Sequence, residues 1–365
     1  MSQFYEERLE RDLNRIRERV AGVAADVEQA LKDAQQAVLH HDKRLANATI
    51  LGDMPINRAI REIDRQCHFF VARHLPTAGH LRFISSVMRM NIALERTGDY
   101  AVTMAREAKT LSQPLDDDLR REVERMAGEA YHMFHQAVEA FNERNADQAK
   151  ATMGYAYQVD HTLADVFDLL VKKGEEDGLS VKDLFAVFII FNRLERVSDQ
   201  AKNICEETVF AVTGEVKKPK VYRVLFLDDA DDFRSQMAVA IARKAYPKSG
   251  TYTSAGLHPA AEVNPACVRF LAGHGLEPGG ASPRRFEEIP EDWKDNHVVV
   301  SLGGPVERYV PEVPFHTITL EWALPEPAAA GSDEEQERST LEAIYRQLAA
   351  EIGALMETLH GEEAS

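Results

Sequence analysis

Two stretches lying 100 residues apart carry one pattern. ALERTGDYAVTMAREA (93–108) and RLERVSDQAKNICEET (193–208) align without a gap. In the first, Glu95, Asp99, Thr103 and Glu107 step by four; in the second, Glu195, Asp199, Asn203 and Glu207 do the same. Leu94, Ala101 and Met104, and then Leu194, Val197, Ala201 and Ile204, fall on an adjoining side at the same helical period. Such spacing predicts amphipathic helices whose acids flank a packed face. Glu28 and Glu129 sit on the preceding first helices at nearly the same offset, and Asn57 and Asp160 near the start of the second ones. Two copies of one three-helix unit is the simplest reading.

The remainder of the first 215 residues agrees. Leu9, Leu13, Ile16, Val20, Val23, Val27, Leu31, Ala34 and Val38 form one apolar stripe on a long helix. Breaks are expected at Gly52-Asp53-Met54-Pro55, Leu75-Pro76-Thr77, Ser112-Gln113-Pro114 and from Gly174 to Gly178. Six long helical segments suit a bundle. After Thr213-Gly214 the pattern changes. EVKKPK reads as a linker, VYRVLFL, HVVVSL and FHTITLEW as strands, and SQMAVAIARKAY and the closing EEQERSTLEAIYRQLAAEIGALMETL as helices. Strands alternating with helices imply a parallel sheet with helices on both faces. The expected fold is therefore multidomain, α followed by α/β. A helical domain spans 1–215 (repeats 5–112 and 115–214), a linker 216–220, an α/β domain 221–360 and a tail 361–365.

Composition excludes several functions. Of the net charge of −17, residues 1–220 contribute −5 (31 Lys/Arg against 36 Asp/Glu) and residues 221–365 contribute −12 (12 against 24). An acidic chain lacks the cations that binding a phosphate backbone requires, so no nucleic-acid partner is expected. No apolar run reaches the ~18 residues of a membrane span, so any membrane association would come through partners. The charged helical start is not expected to be a signal peptide. Cys67, Cys205 and Cys267, odd in number and widely spaced, suit a reducing cytoplasm. The histidines, including His40, His41, His132, His135, His297 and His316, show no zinc-site spacing.

A row of carboxylates is ordinarily a solvated face, here with Arg96 and Arg196 as neighbours. Its recurrence in both copies favours the alternative, acids converging from several helices on a metal. Oxygen donors would select Mg²⁺, Ca²⁺ or Mn²⁺, with iron also possible. At this point GDMPINRAIREIDRQC, ARHLPTAGHLRFISSVMRMNIALERTGDYA and RLERVSDQAKNICE show a resemblance to the PhoU family of phosphate-signalling proteins, over about residues 5–215. The resemblance implies two three-helix bundles and metal binding at Glu95, Asp99, Glu195 and Asp199, with Glu28, Glu129 and Asp160 contributing. Asn57 departs from it, standing where the family often has an acid. The resemblance also implies a non-enzymatic role: restraint of a phosphate-responsive sensor histidine kinase and of the ATPase of a phosphate ABC transporter. Two acidic bundle faces and a long N-terminal helix permit dimers, and a homo-oligomer is expected.

The stretch VLFLDDADDFRSQM (224–237) reads as strand, tight loop and helix, an arrangement that commonly cradles an anion on backbone N–H groups. Yet the loop holds Asp228, Asp229, Asp231 and Asp232, whose charges oppose a dianion. The strand, the Arg-Ser opening the helix, Ser254-Ala255-Gly256, NPACVRFLAGHGLEP and TLEWALPEP resemble low-molecular-weight tyrosine phosphatases and the related thioredoxin-coupled arsenate reductases, over about 221–360. That resemblance implies a C-x5-R-S catalytic motif. Arg234 and Ser235 are present, but Asp228 stands in the place of the nucleophilic Cys, and Glu326 before Pro327 replaces the general-acid Asp. Ser301 and Tyr309 lie where the reductases carry further cysteines. Cys267, on an apolar helix, reads as buried and inert. The expectation is a regulator with an inactive phosphatase-like domain. One rival reading is a phosphatase or arsenate reductase using Asp228 with Arg234 and Glu326; the other is a metal-storage protein.

Overall fold

The computed structural model describes residues 3–155, 166–175, 179–216, 220–280, 282–286, 296–310, 313–314, 317–325 and 334–361. The chain divides into two compact units, Met1–Lys217 and Lys218–Ser365.

The first unit is helical, and its first helix, α1 (Gln3–Leu39), buries the whole predicted stripe from Leu9 to Val38. The chain reverses at His41 (φ 50°), and Asp42 caps α2 (Lys43–His74) by accepting from the N–H groups of Arg44 and Leu45. The break expected at 52–55 does not occur, because α2 runs through it. Pro55 lies on the exposed side, while Ala46, Thr49, Ile56, Ile60 and Ile63 carry one buried face past it. Continuous packing thus outweighs the lost backbone hydrogen bond. Leu75-Pro76-Thr77 does separate α2 from α3 (Ala78–Thr110). The second copy contains α4 (Asp117–Glu143), α5 (Ala146–Met153), α6 (166–175) and α7 (Val181–Thr213). Asp116, Asn145 and Ser180 cap α4, α5 and α7 with side-chain oxygens. Buried Asp183 receives the backbone N–H and the hydroxyl of Ser112, which fastens the connection between the copies to the start of α7. A single apolar core draws on both copies and includes Leu94, Met104, Leu194, Val197 and Ile204.

The second unit is a parallel sheet of β1 (Tyr222–Asp228), β2 (Gly250–Gly256), β3 (Val298–Ser301) and β4 (Ile318–Glu321), in the order β2-β1-β3-β4. Strand alternation sorts its core into two layers. Val224, Phe226, Val298 and Val300 pack with α8 (Arg234–Ala245), α9 (Pro265–Gly273) and α10 (Glu334–His360). Leu225, Leu227 and Val299 pack with Val306, Tyr309 and Val310 on the other face. Among the described residues a 3-10 turn (Val306–Arg308) and no α-helix covers that face, so the α-helices lie on one face and not on both as expected. Trp322 belongs to the first layer, its ring centroid 5.9 Å from that of Phe226. The sequence reading did not include β2, whose Thr251, Thr253, Ser254 and Gly256 lack the long apolar side chains of its neighbours. Strand order reverses between β1 and β3, which opens a crevice at their C-terminal ends, the place where such sheets bind ligands. Among the described residues no helix is long and apolar enough to cross a membrane.

Candidate functional site

The loop after β1 occupies that crevice. Asp228, 3% exposed, turns its carboxylate into the loop: one oxygen accepts from the N–H of Asp231 at 2.6 Å and the other from the N–H of Ser235 at 3.0 Å. The amides that would receive an external anion therefore hold a side chain of the loop itself. Asp231 adopts φ 49°. Its carboxylate accepts from the Ser235 hydroxyl at 2.9 Å and the Arg284 N–H at 2.8 Å; burial, aided by the Asp228 charge, raises its pKa against the opposing effect of these hydrogen bonds. From outside, the N–H groups of His258, Ala260 and Asn264 bond the carbonyls of Asp229, Ala230 and Asp232 at 2.8–2.9 Å. Gly256 makes this approach possible, since a Cβ there would lie 2.8 Å from the Asp231 nitrogen.

The four acids are not equivalent. Asp229 accepts from the Tyr309 hydroxyl at 3.0 Å and pairs with the Arg308 guanidinium at 3.0 Å. Burial and that hydrogen bond push the Tyr309 phenol up to about 12. Burial and then the Asp228 charge raise the pKa of Asp232, while Arg234 acts against them. Arg234 and Ser235 open α8 as the sequence implied, and both are buried. Cys267 is also buried, 3.7 Å from the Phe233 carbonyl oxygen, and burial, reinforced by Asp232 and Asp228, pushes its thiol up to about 12. That thiol is protonated at neutral pH and is no nucleophile. Ser301 donates to the Gly304 carbonyl. Glu326 lies outside the described residues.

On the helices, the structure distributes the predicted acids among different neighbours. Glu28 of α1 faces α4: burial raises its pKa, but the hydrogen bonds and charges of Lys32 (2.7 Å) and His135 (3.1 Å) together outweigh that and hold its carboxyl below the usual range. Glu129 lies 3.4 Å from Arg125. Glu195 and Asp199 flank Arg196, at 3.2 and 2.9 Å. Glu95 is exposed. Asp160 lies outside the described residues. No group of three His, Cys, Asp or Glu side chains arranged to hold a metal occurs among the described residues.

Asp99 does meet another acid, Asp53 of α2, which the sequence reading missed. Both line a cavity of about 430 Å³ with Thr103 and Arg106. Burial and the Asp99 charge raise the pKa of Asp53. Asn57 donates to one Asp53 oxygen at 2.6 Å, while the other Asp53 oxygen and the Asn57 carbonyl oxygen are buried without a hydrogen-bond partner. Those two orphaned oxygens, together with the Asp99 carboxylate, are the donor type a hard cation takes. The signal for Asp53 was available, four residues before Asn57, but the expected break at Pro55 concealed it.

These features define a class: an acidic bundle of two repeated helical units joined to a phosphatase-type α/β unit. The PhoU domain family matches residues 20–108 and 123–208, and the low molecular weight phosphotyrosine protein phosphatase family matches 223–365. A phosphate-specific transport system accessory protein PhoU homolog from Pseudomonas putida is 31% identical over 204 residues, covering 56% of this chain and 80% of the relative. The crystal structure of PhoU from Pseudomonas aeruginosa is 30% identical with a TM-score of 0.54, over 56% of this chain and 99% of that one. The crystal structure of arsenate reductase from Archaeoglobus fulgidus is 29% identical with a TM-score of 0.30, over 36% of this chain and 98% of that one. The chain belongs to the PhoU family, with a phosphatase-like domain following the PhoU repeats.

Proposed function

We propose that this protein is a cytoplasmic negative regulator of phosphate uptake and phosphate signalling. It acts by contact with a sensor histidine kinase and with the ATPase of a phosphate ABC transporter. The observation that carries this reading is the match of both PhoU repeats, spread over α1 to α7, to accessory proteins of phosphate-specific transport. Exposed apolar side chains on α6 and α7, among them Phe167, Val181 and Phe185, offer contact area to such partners or to a second copy.

In this reading the α/β unit does not turn over substrate. A nucleophile must reach the phosphorus or arsenic centre, whereas the Asp228 carboxylate is buried and points into its own loop amides. A divalent cation, Mg²⁺, Mn²⁺ or Ca²⁺, or else iron, would be held by Asp53 and Asp99 with the Asn57 carbonyl, where the orphaned oxygens lie. Glu195 and Asp199 would form a second position only after release from Arg196.

The test is deletion of the gene followed by complementation with the full chain, measuring phosphate-starvation gene expression and phosphate uptake in phosphate-replete cells. Loss of repression on deletion, restored by the full chain, is expected. Identical expression and uptake with and without the chain would refute the regulatory role.

A further inference from the structure

The cradle at the start of α8 raises a question that non-catalysis does not answer: what holds the loop in shape? Anion loops of this kind converge several N–H groups on one point, an arrangement that is electrostatically costly when nothing negative stands there. Here the convergence point is filled. Both oxygens of buried Asp228 accept loop and helix N–H groups.

The other three carboxylates are balanced from elsewhere. Asp229 has Arg308 and Tyr309, Asp231 has the Ser235 hydroxyl and the Arg284 N–H, and Asp232 lies in the field of Arg234. Asp228 has only amides in the described contacts, so it plays the part of the anion while its neighbours belong to the wall.

We infer that Asp228 is a built-in ligand of the crevice, an autoinhibitory carboxylate that keeps the anion cradle formed and closed to inorganic phosphate. The inference rests on the phosphatase-type reading of this unit, not on the regulatory role of the helices. It has a functional consequence: phosphate status would reach this protein through partners or through the helical unit, because the fold best suited to bind the ion is already occupied. Removing the carboxylate leaves the N–H groups of Asp231 and Ser235 without an acceptor and one negative charge fewer, so an oxyanion regains a place.

The experiment compares the full chain with Asp228→Ala and Asp228→Ser. Inorganic phosphate is titrated calorimetrically and the backbone amides are followed by NMR, with chloride at matched ionic strength as control. The wild type should show no saturable phosphate binding and no phosphate-dependent movement of the Asp231 and Ser235 amides. Both variants should bind phosphate at least about tenfold more tightly than the wild type, with movement centred on those two amides. Folded variants that fail to gain phosphate affinity would overturn the inference. So would a wild type whose Asp231 and Ser235 amides shift with phosphate, a result that needs no variant to fold. Turnover is read separately, so an active enzyme and an open cradle give different outcomes.

Discussion

Arg89 of α3 reaches Glu207 of α7 at 3.3 Å, with its guanidinium 5.1 Å from the centre of the Phe210 ring. The reciprocal arrangement lies farther along the seam, where Arg193 of α7 stands over Tyr100 and within the field of Glu107. The repeat thus becomes an antiparallel pairing of its two signature helices. The Arg89–Glu207 ion pair costs as well as contributes, and burial raises the pKa of both glutamates despite the neighbouring arginine.

The sign of that shift gives the first prediction. An acid whose folded-state pKa is raised binds its proton more tightly in the folded chain. Stability therefore falls as pH rises from the unfolded value, 4.5, through the folded one, and the loss is complete above it. Glu207→Gln should leave the thermal midpoint at pH 7 unchanged or higher, although it breaks an ion pair. The difference from wild type should vanish as pH falls below 4.5. A midpoint lowered at pH 7 and restored in acid would reverse the argument.

Catalysis supplies the second. The full chain should hydrolyse p-nitrophenyl phosphate and reduce arsenate no faster than Arg234→Ala. Activity that disappears in Asp228→Asn would instead mean that the buried carboxylate attacks substrate, and the enzyme reading would replace the one argued above.

Much of this architecture was legible because hydrophobic period survives in sequence. The α1 stripe, the paired helices α3 and α7, and strands β1 and β3 are all long or strongly apolar. Where local chemistry and packing disagree, sequence misleads. Pro55 marks a break that the buried face of α2 overrides, and β2 is too small and polar to announce itself. The loop acids were visible as residues, yet their roles depend on which neighbours face them. Nothing in DDADDF distinguishes Asp228, turned inward onto amides, from Asp229, turned toward Arg308 and Tyr309. The partner of Asp99 likewise emerges only when α2 and α3 are packed side by side.

Metal content should therefore follow Asp53 as well as the repeated motif. Asp53→Ala with Asp99→Ala should lower bound metal by elemental analysis while far-ultraviolet circular dichroism is preserved. Glu195→Ala with Asp199→Ala should have the smaller effect, because Arg196 already engages both side chains. Equal metal in all variants would return the acidic stripe to ordinary surface.

Gly256 offers a test of the loop's backing. A Cβ there would lie 2.8 Å from the Asp231 nitrogen and 2.9 Å from the Ala230 carbonyl carbon, both backbone atoms that cannot rotate away. Gly256→Ala should destabilise the α/β unit by about 1–3 kcal/mol, the usual range for overpacking. Chemical denaturation of the full chain, followed by the tryptophans Trp293 and Trp322, both in this unit, reads the change. A shift within experimental error would mean that the β2–loop contact yields easily.

The last prediction concerns what a closed phosphatase fold contributes to a phosphate regulator. The PhoU of Pseudomonas aeruginosa is matched over 99% of its length by only 56% of this chain, so the helical part exists elsewhere without the α/β unit. Residues 221–365 carry −12 of the net −17, a field that steers association toward basic surfaces and weakens with salt. If that field serves only solubility, a chain ending at residue 215 should repress phosphate-starvation genes like the full chain, at equal abundance and with the same phosphate threshold. We expect the shortened chain to repress less, or to shift the threshold, because the α/β unit supplies contacts to a basic face of the signalling complex. Binding of the full chain to that complex should also weaken as ionic strength rises, more steeply than binding of the shortened one. Equal repression together with equal salt dependence would leave the unit without a part in signalling.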